Sequence, residues 1–209
     1  MESQNISNMD NTYALHVGSV GVLVVLRLKD SNNERYVILI EQPQICAHGA
    51  SFLELPAANL EERTGDIIGE DMEEIEDATG LRIRREDTIN MTEMALEHSL
   101  RNEHLPPAIQ PSPTTPDEYV SVLLWDKDLE WSDFENLVQR FGSNRAENEP
   151  TTVRVHHFEA LWGEGSKNAR MLSAWALYEG LNRSGRIEQR LHELRTGQTS
   201  RRPRKDRVC

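Results

Sequence analysis

The sequence predicts an α/β sandwich, in which helices pack against a β-sheet. Residues 17–28 and 36–40 are apolar, β-branched runs typical of buried strands, whereas residues 65–79 carry apolar side chains at helical spacing. Because strands and helices are mixed along the chain, a sheet covered by helices is the natural way to bury both kinds of apolar surface.

The first half of the chain is expected to hold three strands. The first, residues 17–28, ends before turn-forming residues at 30–33, and the second, residues 36–40, closes at 41–43. Residues 52–55 form a short third strand, joined to the second by a connection rich in small residues. These strands supply the apolar centre of the sheet.

The first helix is expected over residues 65–79. Asp66 is placed to cap its start, and Gly80 is placed to end it as a C′ glycine. Its apolar stripe consists of Ile68, Met72 and Ile75. This stripe would face the core and leave the acidic residues of the helix outward.

The second half is expected to alternate between strands and helices. Strands are predicted at residues 118–125 and 151–156, and Ser132 begins a capping box for a helix that reaches Phe141. A helix over 167–182 continues as a charged helix over 183–196. The core side of the 167–182 helix is predicted to carry Met171, Leu172, Trp175, Ala176 and Leu181. We also expect Trp125, Trp162 and Trp175 to be core residues.

A long loop precedes the strand at 118–125. Residues 101–117 contain five prolines and few apolar side chains, so they are not expected to form a packed element. Two interpretations stay open: a lid over a substrate, or a plain linker.

Composition excludes several classes of protein. The 209 residues are 37% hydrophobic and 28% charged, which suits one globular domain with polar extensions. No apolar run approaches the roughly 18 residues of a membrane span, and no secretory signal is recognisable. The net charge of −12 opposes binding to a polyanion. We therefore expect a small-molecule substrate, no nucleic acid and no membrane.

Cysteine usage indicates the compartment. Cys46 and Cys209 make neither a disulfide framework nor a zinc pattern, which fits a reducing environment. We expect a cytoplasmic protein, while the basic tail leaves nuclear import open. The expected organisation is a flexible arm at 1–16, one domain at 17–196 and a basic, disordered tail at 197–209.

One segment carries a family resemblance. Residues 52–81, FLELPAANLEERTGDIIGEDMEEIEDATGL, together with GSVGVLVVL, YVILIEQ, DEYVSVLLW and LSAWALYEGL, resemble the Nudix hydrolases. The likeness covers roughly residues 17–183 and is nearest to the nucleoside-diphosphate-sugar pyrophosphatase branch, which acts on ADP- and UDP-sugars. It implies a Nudix α/β/α sandwich with a mixed sheet, and it leaves a homodimer open.

The resemblance also implies a set of site residues. Family members hold divalent metals, usually Mg²⁺, on helix carboxylates, and the metals neutralise a diphosphate and activate water. Carried onto this chain, the metal carboxylates are Glu74 and Asp77, but the third position is Ala78. Glu70 lies one turn before Glu74 and could substitute. We therefore expect Mg²⁺ to bind weakly, if at all, to Glu70, Glu74 and Asp77.

Other positions depart from the family pattern. Glu73 replaces the arginine that opens the acidic motif, Ala58 replaces a glycine after Ala57, and Gln44 replaces an arginine near the phosphates. Glu118 matches the late catalytic glutamate. The expected catalytic residues are therefore Glu74, Asp77 and Glu118.

The expected substrate-binding residues are Gln44, His48, Ala57, Ala58 and His104. The two histidines lie in loops that flank the presumed cleft and could act as general acid or base, because histidine titrates near neutrality. The alternative for each is a solvated loop side chain.

Three functions follow from these residues. The first is a divergent Nudix-fold enzyme with weak or lost pyrophosphatase activity, whose acidic cleft performs acid–base chemistry such as isomerisation, cyclisation or ring opening on a small metabolite. The second is a Mg²⁺-dependent ADP-sugar or UDP-sugar diphosphatase. The third is a non-catalytic binding protein.

Overall fold

The computed structural model describes residues 19–29, 34–43, 51–61, 63–97, 108–110, 119–143 and 152–197. Within these ranges the strands are β1 (Ser19–Leu28), β2 (Arg35–Pro43), β3 (Ser51–Glu54), β4 (Ala57–Leu60), β5 (Ile67–Ile68), β6 (Thr88–Asn90), β7 (Ser121–Leu129) and β8 (Thr152–His157). The helices are α1 (Glu70–Thr79), α2 (Met91–Leu96), α3 (Trp131–Ser143), α4 (Ala169–Arg183) and α5 (Arg186–Thr196).

β1 is the central strand of one mixed sheet. β2 and β4 pair with it antiparallel, whereas β7 runs parallel to it from the Val20–Ser121 pair to the Leu28–Leu129 pair. β3 and β8 extend the sheet from β2, β5 extends it from β4, and β6 extends it from β7. The sheet is therefore mixed, as predicted.

Apolar side chains cover both faces of this sheet, because successive residues of a strand point to opposite sides. On one face α1 and α3 pack on the sheet in a cluster that includes Val22, Val24, Ile75 and Phe134. On the other face α2, α4 and α5 pack in a cluster that includes Leu23, Val25, Met91, Met171 and Leu191. The predicted α/β/α sandwich is confirmed.

The first helix starts later than predicted. α1 begins at Glu70, since Ile67–Ile68 instead forms β5 and pairs with β4. Gly69, with φ 148°, is the N-cap and provides no side chain, so the expected Asp66 cap is wrong, and Ile68 is 47% exposed. The predicted end is confirmed: Gly80 has φ 71°, and its N–H donates to the Glu76 carbonyl at 2.7 Å.

The C-terminal helices also differ in detail from the prediction. α3 begins at Trp131, so Ser132 lies inside it and does not cap it. α4 is capped by Asn168, and its residues Leu172 and Ala176 are exposed rather than buried. Gly185, with φ 72°, separates α4 from α5, so the two do not form one continuous helix.

Among the described residues, β4, β6 and α2 lie where no strand or helix was predicted, and β5 replaces the predicted start of the first helix. Of the proline-rich loop, residues 108–110 are described, and Ile109 exchanges two backbone hydrogen bonds with Val120 at 2.8 and 2.9 Å. This part of the loop therefore returns to the start of β7. Trp125 is buried as expected, but Trp162 is 51% exposed, so its assignment to the core is wrong.

A group of ion pairs near the end of β1 joins β1 to β7 and joins β7 to α5. Arg27 Nε donates to Asp126 Oδ2 at 2.9 Å, and Arg195 of α5 lies 2.9 Å from Asp128. The Asp126 side chain is 0% exposed, and its burial raises the pKa of that carboxyl to about 6, although Arg27 acts in the opposite direction. Asp126 therefore titrates at higher pH in the folded chain than an ordinary aspartate.

No helix in the described part of the chain is long and apolar enough to cross a membrane.

Candidate active site

A small cleft of about 10 Å³, enough room for about one water molecule, opens at the end of the sheet where β1 begins. Residues 19–21 of β1 pair with β4 on one side and, at Val20, with the start of β7 on the other. The segment between β3 and β4 crosses this end and contributes Glu54, Leu55 and Ala57 to the cleft.

Asp71 connects α1 to this segment. The Ala57 backbone N–H donates to Asp71 Oδ2 at 2.6 Å, which fixes the β3–β4 connection against the first turn of the helix. Burial raises the pKa of Asp71, and nearby Glu70 raises it further, while the hydrogen bond from Ala57 acts in the opposite direction. Asp71 is thus a half-buried acid at the mouth of the cleft.

The predicted carboxylates of α1 share one face of the helix. Glu70, Glu74 and Asp77 follow the i, i+4, i+7 spacing, with Glu74 half-buried and the other two exposed. Glu74 therefore lies nearer the packed side of α1 than its two neighbours do. Exposed carboxylates on flexible side chains are weaker anchors for a metal than a preorganised set.

Ala78 stands where the family resemblance places a third carboxylate. It is 9% exposed and belongs to the core cluster beneath α1. The described residues contain no group of three His, Cys, Asp or Glu side chains placed to hold a metal ion. The donor set in this part of the chain therefore does not fit the metal centre that the family resemblance implies.

Several predicted site residues lie outside the described residues. They are Gln44, His48, His104 and Glu118. Tyr119 and Val120 follow Glu118 directly, and Val120 lines the cleft. Of the remaining predicted substrate contacts, Ala57 is exposed and lines the cleft, whereas the Ala58 side chain packs into the core cluster.

Two features of the cleft were missed from the sequence. Asp71 is one of six acids between residues 70 and 77, and nothing in that run distinguishes the one that meets Ala57. Arg170 and Asn168, at the start of α4, line the cleft. An asparagine just before a helix is a recognisable cap signal, but the sequence does not show which part of the sheet the capped end meets.

The chain is similar in sequence to Nudix hydrolase 14, chloroplastic, from Arabidopsis thaliana. The two share 32% identity over 170 residues, which is 81% of this chain and 52% of the relative. The chain thus spans about half the length of that relative. This similarity supports placing the chain in the Nudix hydrolase superfamily.

A crystal structure of a mutT/nudix family protein from Listeria innocua aligns with 84% of this chain and 98% of its own, at 14% identity and a TM-score of 0.41. No family model matches the sequence.

Proposed function

We propose that this chain is a divergent Nudix-fold enzyme with weak or lost diphosphate hydrolysis, whose acidic cleft performs acid–base chemistry on a small metabolite. The observation that carries the proposal is Ala78, a core methyl group where the resemblance places a metal carboxylate. Isomerisation, cyclisation and ring opening are the reaction types in view, because each needs proton transfers and no diphosphate leaving group.

Charge supports the same conclusion. Residues 70–77 hold six acids and no base. A carboxylate and a phosphate about 5 Å apart repel by roughly 3 kcal/mol at an effective dielectric of about 20. Unless a metal is firmly held between them, this helix face disfavours a diphosphate and favours a substrate whose reacting end is neutral.

Two carboxylates of α1 are considered for proton transfer. Burial raises the pKa of Asp71, so its carboxyl exchanges a proton closer to neutral pH than an ordinary aspartate does, as a general acid requires. Glu74 is half-buried on the same helix. In the proposed mechanism Glu74 removes or returns the substrate proton, and Asp77 and Glu118 are the other catalytic acids that the resemblance implies.

A Mg²⁺-dependent hydrolase of ADP- or UDP-sugars is the second candidate. It is favoured by the sequence similarity to Nudix hydrolase 14 from Arabidopsis thaliana, which is named as a hydrolase. It is also favoured by Glu70, Glu74 and Asp77 on one helical face, where Glu70 would compensate for Ala78.

Substrate panels separate the two candidates. ADP-sugars and UDP-sugars with Mg²⁺ or Mn²⁺ are assayed by phosphate release after phosphatase treatment, and small metabolites are assayed for isomerisation by NMR with a chelator present. Turnover in the second assay with little in the first supports the proposal. Efficient metal-dependent diphosphate cleavage supports the hydrolase instead.

Glu74→Gln tests the proposed base, and Glu73→Gln is the matched control. Both remove one negative charge from the same turn of α1, but Glu73 is exposed and Glu74 half-buried. We expect Glu74→Gln to lower kcat by about 100-fold, the usual contribution of a general base, with little change in Tm. Glu73→Gln should stay within about twofold of the parent, as a surface change does. Full activity in Glu74→Gln would remove this carboxylate from the mechanism.

A further inference from the structure

We propose that α5 detaches from the sheet more readily at neutral pH than at acidic pH, and that the buried carboxyl of Asp126 controls this opening. Asp126 pairs with Val25 near the end of β1, whereas the cleft lies at residues 19–21, where β1 begins. The inference is therefore independent of the chemistry proposed for α1. It makes α5 an element whose attachment to the sheet responds to pH.

Charged contacts between α5 and the sheet meet around Asp126. Arg195 of α5 lies 4.0 Å from Asp126 Oδ1 and 2.9 Å from Asp128. On β1, Arg27 Nε donates to Asp126 Oδ2 at 2.9 Å, and the same guanidinium lies 3.8 Å from Glu188 of α5. A change in the charge of Asp126 therefore acts on the contacts that attach α5.

The ionised form of Asp126 is poorly accommodated at this position. Its side chain is 0% exposed, and among the described residues no group donates a hydrogen bond to its Oδ1. A buried carboxylate with an unsatisfied oxygen loses hydration that one ion pair does not fully replace. Burial therefore raises the pKa of Asp126 to about 6, although Arg27 acts in the opposite direction.

α5 is the element that can move to relieve this burial. It is 11 residues long, it buries the side chains of Ile187 and Leu191, and Gly185 separates it from α4. Its first residue, Arg186, lies 2.8 Å from Glu97 on the same face of the sheet. The N-terminal end of α5 is thus held independently of Asp126, and the end that carries Arg195 is the one expected to lift.

The charged and titratable groups around Asp126 come from β1, β7, α4 and α5. Arg27, Asp128 and Arg195 act on its charge directly. Tyr178 of α4 is joined to it through Arg27, whose Nη2 donates to the Tyr178 hydroxyl at 3.4 Å. A cavity of about 500 Å³ borders Arg27, Asp128 and Tyr178, so solvent lies next to the groups that surround the carboxyl. Movement of α5 is then enough to hydrate it.

The direction of the effect follows from proton linkage. Because the pKa of Asp126 is raised from 3.8 to about 6 while α5 is docked, protonation stabilises the docked state. That stabilisation is complete below pH 3.8 and is lost as the pH rises through 6. If opening returns the carboxyl to its ordinary pKa, the equilibrium constant for opening rises about tenfold between pH 5 and pH 8. Most of that rise falls below pH 7.

Hydrogen exchange of the full 209-residue chain between pH 5 and pH 8 tests the proposal. Each amide rate is divided by the intrinsic exchange rate at that pH, which gives the opening equilibrium constant for α5, and the amides of β1 serve as the reference. Asp126→Asn removes the titrating group and keeps its shape. His192→Gln is the matched control, because His192 is an exposed residue of α5 and histidine also changes charge near neutral pH.

We expect the α5 amides of the parent to open more often than those of β1 at every pH, with the rise of about tenfold between pH 5 and pH 8. Asp126→Asn should show no such rise, whereas His192→Gln should keep it. Four results would overturn the proposal: a constant α5 opening in the parent, α5 amides that open only as often as β1 amides, a retained rise in Asp126→Asn, or its loss in His192→Gln.

A second measurement on the parent covers the case in which Asp126→Asn does not fold. The ¹³C NMR shift of the Asp126 carboxyl is followed over the same pH range. A midpoint that coincides with the levelling of α5 opening supports the proposal. Two midpoints more than about one pH unit apart would assign the opening to another group and overturn it.

Discussion

The hydrogen bond between Ala57 and Asp71 gives the sharpest structural prediction. In Asp71→Ala, the Ala57 N–H loses its 2.6 Å acceptor, and the β3–β4 connection loses its tie to α1. A hydrogen bond to a charged group contributes about 1.5–3 kcal/mol. Because Ala57 is exposed and water can replace part of the bond, we expect a loss of about 1 kcal/mol in the free energy of unfolding. For a chain of this length that lowers Tm by about 2–4 °C.

The control is Asp71→Asn, which keeps an oxygen acceptor. Burial raises the pKa of Asp71, so the folded state favours the neutral form, and an amide should stabilise the fold at least as well as the carboxylate does at neutral pH. Chemical denaturation measures both variants, and hydrogen exchange at the Ala57 amide reports the bond directly. Faster exchange in the alanine variant alone is the expected result. Equal losses in both variants, or none in either, would refute this account of the segment.

Two further predictions concern other parts of the molecule. Burial raises the pKa of Asp126 from 3.8 to about 6, so the stability that its protonation provides is complete below pH 3.8 and is lost as pH rises through 6. Relative to Asp126→Asn, the free energy of unfolding of the parent should fall by roughly 3 kcal/mol as the pH rises from 3.8 to about 6, because one pKa unit corresponds to about 1.36 kcal/mol. A difference in unfolding free energy between the two proteins that stays constant over this range would contradict the prediction. Separately, the triple variant Ala78→Glu, Glu73→Arg, Gln44→Arg should strengthen Mg²⁺ binding or restore some diphosphate cleavage; a folded triple variant with neither gain would show that other losses limit this site.

The sequence predicted the layers of this fold because periodicity reports burial directly. The apolar residues Met72 and Ile75 of α1 are buried as their spacing required, and Gly80 ends the helix as its left-handed backbone allows. The prediction failed at Ile68, where a local helical pattern competed with pairing to β4. Such pairing depends on a partner strand that the local pattern does not reveal.

The candidate site was predictable only in part. Glu70, Glu74 and Asp77 share a helix face, as spacing alone implies. The Asp71–Ala57 bond and the place of Arg170 depend instead on how α1 and α4 dock on the two faces of the sheet. Docking is set by tertiary packing rather than by local pattern, so sequence reasoning could not distinguish these residues from other surface charges.

We propose that this chain has lost the metal site of the family at Ala78. Isothermal titration of Mg²⁺ into the purified chain, without substrate, measures whether α1 still binds a metal. We expect weak binding, with a dissociation constant of about 1 mM or higher. This corresponds to a binding free energy of roughly −4 kcal/mol or a less favourable value. Micromolar affinity that disappears in Glu74→Gln but not in Glu73→Gln would show that α1 still holds a metal, and would contradict the claim.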